Sequence, residues 1–244
     1  MRNLTGMGLV AALLVPMIGG ASMTAVPASA APHCQPGRDV KYDPHPGAIV
    51  VQTSFEEEGL GKFISTTAGK GIVAVSSAQR RSGACSAYLH ATDDVGSVAY
   101  MSTPSLPPRS KEIYADGWFN ITKAGLPDND VPYLRLFNGS DRVMDVFRDN
   151  QDGQLWLRVA SPSGSFAYTG LGRAAELGAW HHLVVHIVAD GSASTVEIWF
   201  DDQLLYSSNT VSSGYKALTS VQLGAEHPRQ LGDSYVDDIT ITAR

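Results

Sequence analysis

Between residues 113 and 121 the chain alternates strictly. Ile113, Ala115, Gly117, Phe119 and Ile121 hold one parity; Tyr114, Asp116, Trp118 and Asn120 hold the other. A period of two marks a strand with one face buried. The pattern returns at 133–137, where Leu134 and Leu136 oppose Tyr133, Arg135 and Phe137. It returns again at 196–200, where Val196, Ile198 and Phe200 oppose Glu197 and Trp199. Alternation with β-branched and aromatic residues predicts strands over 49–55, 71–76, 84–91, 98–101, 113–121, 133–137, 142–147, 154–159, 182–188, 196–200, 203–207, 220–223 and 235–242. Asn138-Gly139, Asp152-Gly153, Ser163-Gly164 and Asp190-Gly191 supply tight turns between them. Only 171–177 reads as a helical turn. So many strands and no long helix predict an all-β fold, an antiparallel two-sheet β-sandwich.

One face of these strands is aliphatic and belongs to the core. The other mixes aromatic, basic, amide and acidic side chains. Two readings of it stay open: an ordinary amphipathic surface, or a surface on which aromatic rings stack on sugars while polar neighbours hydrogen-bond hydroxyls. On the second reading the candidate residues are Trp118, Asn120, Tyr133, Arg135, Phe137 and Trp156. Arg135 and Asn120 would donate the hydrogen bonds.

The first thirty residues change the setting. Arg2 is their only charge, an apolar stretch follows from Met7 to Ile18, and Ala28-Ser29-Ala30 completes an A-x-A end. This predicts a signal peptide over residues 1–30 and a secreted, extracellular protein. The apolar run contains Pro16 and is shorter than the ~20 residues that cross a bilayer. Residues 31–47 hold four prolines and read as an extended lead-in; the folded domain occupies 48–244. Cys34 and Cys85 are the two cysteines of the chain, and export favours a disulfide between them over free thiols or a metal pair. Acidic residues outnumber basic ones, 24 to 18, with no basic run, which argues against nucleic acid or anionic membrane as partner.

In the C-terminal half three segments stand in a familiar order. Gly178-Ala179-Trp180-His181-His182-Leu183-Val184-Val185 is followed by Thr195-Val196-Glu197-Ile198-Trp199-Phe200-Asp201-Asp202-Gln203, and Tyr235-Val236-Asp237-Asp238-Ile239-Thr240-Ile241 closes the chain. With the opening Thr53-Ser54-Phe55-Glu56, this resembles the concanavalin A-like lectin/glucanase superfamily, especially its laminin-G-like jelly rolls, over 48–244. The hairpin carries Asp201-Asp202 in place of Asp-Gly, a change Asp can accommodate because it visits the left-handed region. The resemblance implies a jelly roll whose first and last strands are neighbours. Glu56 could then meet Asp237 around a structural calcium ion, the alternative being a hydrogen-bonded Asp237 without metal.

The resemblance further implies a polysaccharide or other glycan as partner. The leading reading is a non-catalytic carbohydrate-binding protein, with no catalytic residue assigned. The retaining-hydrolase pattern Glu-x-Asp-x-Glu is not met at 197–201, where Trp199 holds the middle position. A polysaccharide lyase or glycoside hydrolase acting on an extracellular polysaccharide is the alternative, a lyase foremost, with Arg135 neutralising a uronate and His227 or Tyr133 as base; an extracellular protein-interaction domain is the third. His181, His182 and His186 lack a completing ligand in the nearby sequence and read as structural rather than as a zinc site.

Overall fold

The computed structural model describes Cys34, residues 45–57, 59–92, 94, 96–227 and 230–244. The predicted signal peptide and most of the lead-in lie outside the described residues. The elements in chain order are β1 (Ala48–Thr53), β2 (Ile64–Ala68), β3 (Ile72–Ser76), β4 (Ser86–Ala91), β5 (Val98–Ser102), β6 (Glu112–Lys123), β7 (Asp130–Asn138) and β8 (Asp141–Asp149). They continue with β9 (Gln154–Ala160), β10 (Phe166–Ala174), β11 (His181–Val188), β12 (Ser194–Phe200), β13 (Gln203–Val211), β14 (Ser220–Ala225) and β15 (Gly232–Ala243). All thirteen predicted strands are present. β2 is additional. β10 replaces the predicted helical turn at 171–177: its backbone pairs with β9 from Phe166 to Ala174, through an irregularity after Gly170.

Two antiparallel sheets form the sandwich. The first runs β13-β12-β11-β6-β15-β4-β3, and the second β10-β9-β8-β7-β14-β5-β2. β15 has β6 along one side. Its other side is shared, with β4 at 232–236 and β1 at 239–243. The first and last strands are therefore neighbours, as the resemblance implied. The change of partner coincides with a bulge between Asp237 and Thr240, where Asp238 has a φ of 46°. Bulges re-aim side chains, and this one delivers Asp237 to the loop before β4.

The core lies between the sheets. The first sheet contributes Ile113, Ala115, Phe119, Leu183, Val185, Ile198 and Ile241; the second contributes Leu134, Leu136, Met144, Val146, Leu155, Leu157 and Leu223. Each large apolar side chain so buried stabilises the fold by about 1.5–3 kcal/mol relative to exposure. Gly117 fits the inward parity of β6 for a packing reason: a Cβ there would sit 2.7 Å from Ile239 Cδ1. The Asp201-Asp202 hairpin does adopt left-handed φ values, 50° and 63°. The predicted disulfide is formed: Cys34 joins Cys85.

Candidate functional site

The outer face of the second sheet is ordered by cross-strand register. Tyr168 on β10 faces Arg158 on β9, Arg158 faces Asp145 on β8, Asp145 faces Arg135 on β7, and Arg135 faces Gln222 on β14. One step along, Trp156 faces Phe147. Alternation places this whole set opposite the core residues Val146 and Leu157.

Three guanidinium groups and three carboxylates interlock across that face. Arg158 Nε donates to Asp145 Oδ1 at 2.8 Å and Oδ2 at 3.1 Å; its Nη2 also bonds Oδ2, and its Nη1 reaches Asp130 Oδ2 at 3.5 Å. Arg142 spans Asp145 at 3.2 Å and Glu226 at 3.1 Å. Arg135 donates to Gly224 O at 2.6 Å, Gln230 Oε1 at 2.7 Å and Gln222 Oε1 at 3.2 Å. Gln230 in turn donates to Asp130 Oδ1 at 2.7 Å. Arg135 and Asp145 are both 0% exposed. Burial, with the Arg142 charge beside it, pulls the Arg135 pKa down to about 10. At Arg158 burial also opposes the charge, but its bonds to Asp145 outweigh that and raise the pKa. Each guanidinium has a partner in the network, though the Nε of Arg135 and of Arg142 are buried without a hydrogen bond, and removal of one carboxylate would leave buried charge uncompensated.

An aromatic platform lies beside this network. The Arg158 guanidinium stands 4.9 Å from the Phe147 ring centre, 5.6 Å from Phe166 and 5.8 Å from Tyr168. Tyr168 meets Phe147 edge-on and is 54% exposed. Phe147, Tyr168 and Trp156 line an open cleft of about 470 Å³, whose remaining walls are Pro127, Asp128, Asn129, Asp130, Asp149, Gln151 and Arg158. The Trp156 indole N–H is buried without a hydrogen-bond partner among the described residues. A cleft with stacking rings and amide and carboxylate groups can hold a polar ring-shaped ligand.

The structure divides the six residues that the sequence grouped. Trp156 lines the cleft. Arg135 lies on the same face, but wholly buried beneath Gln230. Tyr133 is in the inter-sheet core, edge-on to Phe119 and Phe200, and burial raises its phenol pKa. Its parity with Arg135 fails because the register shifts between Pro132 and Leu134, leaving Tyr133 without a partner on β8. Phe137 is buried at the far end of β7. Trp118 and Asn120 belong to the first sheet and do not share a surface with Arg135. The three residues assigned to a lyase likewise do not assemble: Tyr133 is in the core, and His227 meets Arg142 rather than Arg135.

On the first sheet Trp118 stacks against His182 at 4.8 Å, with the Arg81 guanidinium 4.1 Å from its ring. Asn120 is 0% exposed. His182 Nε2 lies 2.7 Å from Asp116 Oδ1, and that bond lifts the His182 pKa above its ordinary value. His186 stacks on Tyr114 at 4.0 Å and contacts Glu197 and Glu112. The histidines of this face are thus held by carboxylates and rings. Among the described residues, no three His, Cys, Asp or Glu side chains are grouped as metal ligands.

Glu56 and Asp237 flank one loop. Arg81 N–H and Ser82 N–H donate to Asp237 Oδ2 at 2.8 and 3.1 Å; Ala84 N–H and Cys85 N–H donate to Glu56 Oε1 at 2.7 and 2.9 Å. Gly83 lies between these pairs with φ at 58°, and a Cβ there would fall 2.0 Å from Glu56 Oε1. Burial pushes the Asp237 pKa up to about 7, against the bonds from Ser82 and Arg81.

The cleft was only partly visible in the sequence. Parity within 142–147 and 154–159 would have placed Asp145 with Phe147 and Trp156 with Arg158. Tyr168 was hidden because its strand was not foreseen.

No family model matches the sequence, and no curated protein matches it. Solved structures do. The endo-β-1,4-glucuronan lyase of the fungus Trichoderma reesei aligns with a TM-score of 0.60 at 13% identity, over 74% of this chain and 90% of that one. The cellulose-induced protein Cip1 aligns at 0.61 and 17% identity, over 78% and 96%. Domain 4 of AbnA, a GH43 extracellular arabinanase from Geobacillus stearothermophilus solved with arabinotriose, aligns at 0.57 and 15%, over 82% and 95%. This likeness shows a shared two-sheet β-sandwich fold.

Proposed function

We propose that this is an exported protein that binds an extracellular glycan in the cleft between Trp156, Tyr168 and the 127–130 wall. The observation that carries the reading is the juxtaposition of the exposed Tyr168 ring and the half-buried Trp156 ring with carboxylate and amide groups in one open cleft. Tyr168 and Trp156 supply stacking surfaces; Asn129 and Gln151 accept from or donate to hydroxyls, and the carboxylates accept from them. The fold supports the same reading, since it is shared with a polysaccharide lyase and with an arabinanase domain solved with arabinotriose. Binding is favoured over cleavage by the residues foreseen for a lyase, because Arg135 and Tyr133 are both inaccessible.

Affinity electrophoresis through soluble polysaccharides tests this. Tyr168→Ala and Trp156→Ala should each weaken retardation about tenfold, the equivalent of 1.4 kcal/mol. The exposed Tyr168 should be replaceable without loss of melting temperature. If both variants are retarded like the parent protein, the cleft is not the site.

We also propose calcium at the loop held by Glu56 and Asp237. The fit rests on a wholly buried Asp237 carboxylate whose charge burial opposes; a cation there would offset that cost, with carbonyl oxygens as further ligands. Chelator should lower the melting temperature by about 5–10 °C if calcium is held well above its dissociation constant. Asp237→Ala should abolish the sensitivity. A melting curve indifferent to chelator in the parent protein rules the ion out.

A further inference from the structure

We infer that the cleft selects uncharged glycans and rejects polyuronates. This rests on the glycan-binding reading above and narrows it to a class. The charge around the cleft is decided by what is already paired. Arg158 is the one cationic side chain in the lining, and its guanidinium is committed to Asp145 and Asp130. Arg135 and Arg142, which share its network, are bound to Gly224, Gln222, Gln230, Asp145 and Glu226; Arg148, between the lining residues Phe147 and Asp149, is outside the lining and spends its guanidinium on the carbonyls of Ala175 and Asp149. The three guanidinium groups and the carboxylates of Asp130, Asp145 and Glu226 cancel. Asp128 and Asp149 are then left over on the cleft wall, and among the described residues no cation pairs with either.

A second observation points the same way. Asp130 and Asp149 are direct cross-strand partners in the β7–β8 ladder. Like charges in that position destabilise a sheet, and no ion pair offsets the Asp149 charge, although its side chain shapes the turn that follows. Its Oδ1 accepts only the Gln151 N–H of the following turn. The carboxylates can accept hydrogen bonds from sugar hydroxyls, while the field they create repels a polymer carrying a carboxylate on every residue. Between exposed charges the repulsion is screened by salt.

The test compares retardation of the parent protein in gels containing laminarin, linear arabinan or xyloglucan with gels containing polygalacturonate or polyglucuronate. At low salt the strongest neutral polymer should bind at least about tenfold more tightly than either polyuronate, with the gap narrowing at ~0.5 M salt. Asp128→Asn with Asp149→Asn should close much of the gap by raising polyuronate affinity. Asp128→Asn alone, at the exposed position, should do so in part should the double variant fold poorly. Polyuronate binding equal to or tighter than neutral binding overturns the selectivity and leaves glycan binding standing. A folded protein retarded by no polymer of either kind overturns the binding reading, and this inference with it.

Discussion

Asp145→Ala should be the most destabilising single substitution on the outer face of the second sheet, costing about 3–5 kcal/mol of unfolding free energy. Asp145 is the hub of the ionic network. It holds Arg158 through both oxygens, Arg142 at 3.2 Å, and lies 3.9 Å from Arg135 Nε. Its removal leaves three guanidinium groups to share Asp130 and Glu226, one of them in a position with no access to water. An unpaired buried charge costs far more than a lost hydrogen bond. Asp145→Asn keeps acceptor capacity and should cost less than the alanine variant. Urea unfolding followed by far-ultraviolet circular dichroism measures both. A loss below about 1 kcal/mol for Asp145→Ala would mean that solvent or rearrangement satisfies these arginines, contrary to the burial described. Because the network also orders Arg158 under the aromatic rings, the variant should lose glycan binding even at temperatures where it remains folded.

Opening the disulfide should be the second large effect. Cys34 and Cys85 are 51 residues apart, and on the chain-entropy account a closed loop of that length contributes about 4 kcal/mol by restricting the unfolded chain. Cys85 is fully buried at the start of β4, next to the Glu56 and Asp237 loop. The paired variant Cys34→Ala with Cys85→Ala, and the reduced parent protein, should both lose stability of this order and agree with each other within about 1 kcal/mol. Agreement would place the effect in the cross-link itself. A paired variant much less stable than reduced protein would instead assign the loss to packing around Cys85, where removing a sulfur from a close-packed site leaves a cavity. The two large effects involve different sheets and no shared partner, so their costs should add.

How much of this was legible beforehand follows from the range of each signal. Alternation is local, and it identified the strands, the aliphatic face and the turns at Asn138-Gly139 and Asp152-Gly153. The same local rule failed at two places. In β7 the register shift between Pro132 and Leu134 leaves Tyr133 without a partner on β8 and broke the parity that had grouped it with Arg135. In β10 the run Leu171–Leu177 has no clean alternation, and only pairing with β9 made its first part a strand. The grouping of Trp118 with Trp156 failed for a different reason. Both point away from the core, but a sandwich has two such faces, and parity within a strand does not say to which sheet the strand belongs.

By itself the sequence determined the all-β class, nearly every strand and the cysteine pair, because period, turn chemistry and cysteine number are properties of neighbouring residues or of simple counting. It also determined that aromatic and charged side chains would share the outer faces. Tertiary structure alone decided which of them meet. The ladder order set Tyr168, Arg158, Asp145 and Arg135 in one row, the bulge in β15 carried Asp237 to the loop of Ser82, and burial removed Arg135 and Tyr133 from the surface. Strand order, bulges and burial depend on contacts between residues far apart in the chain, and those contacts leave no periodic trace in any single segment.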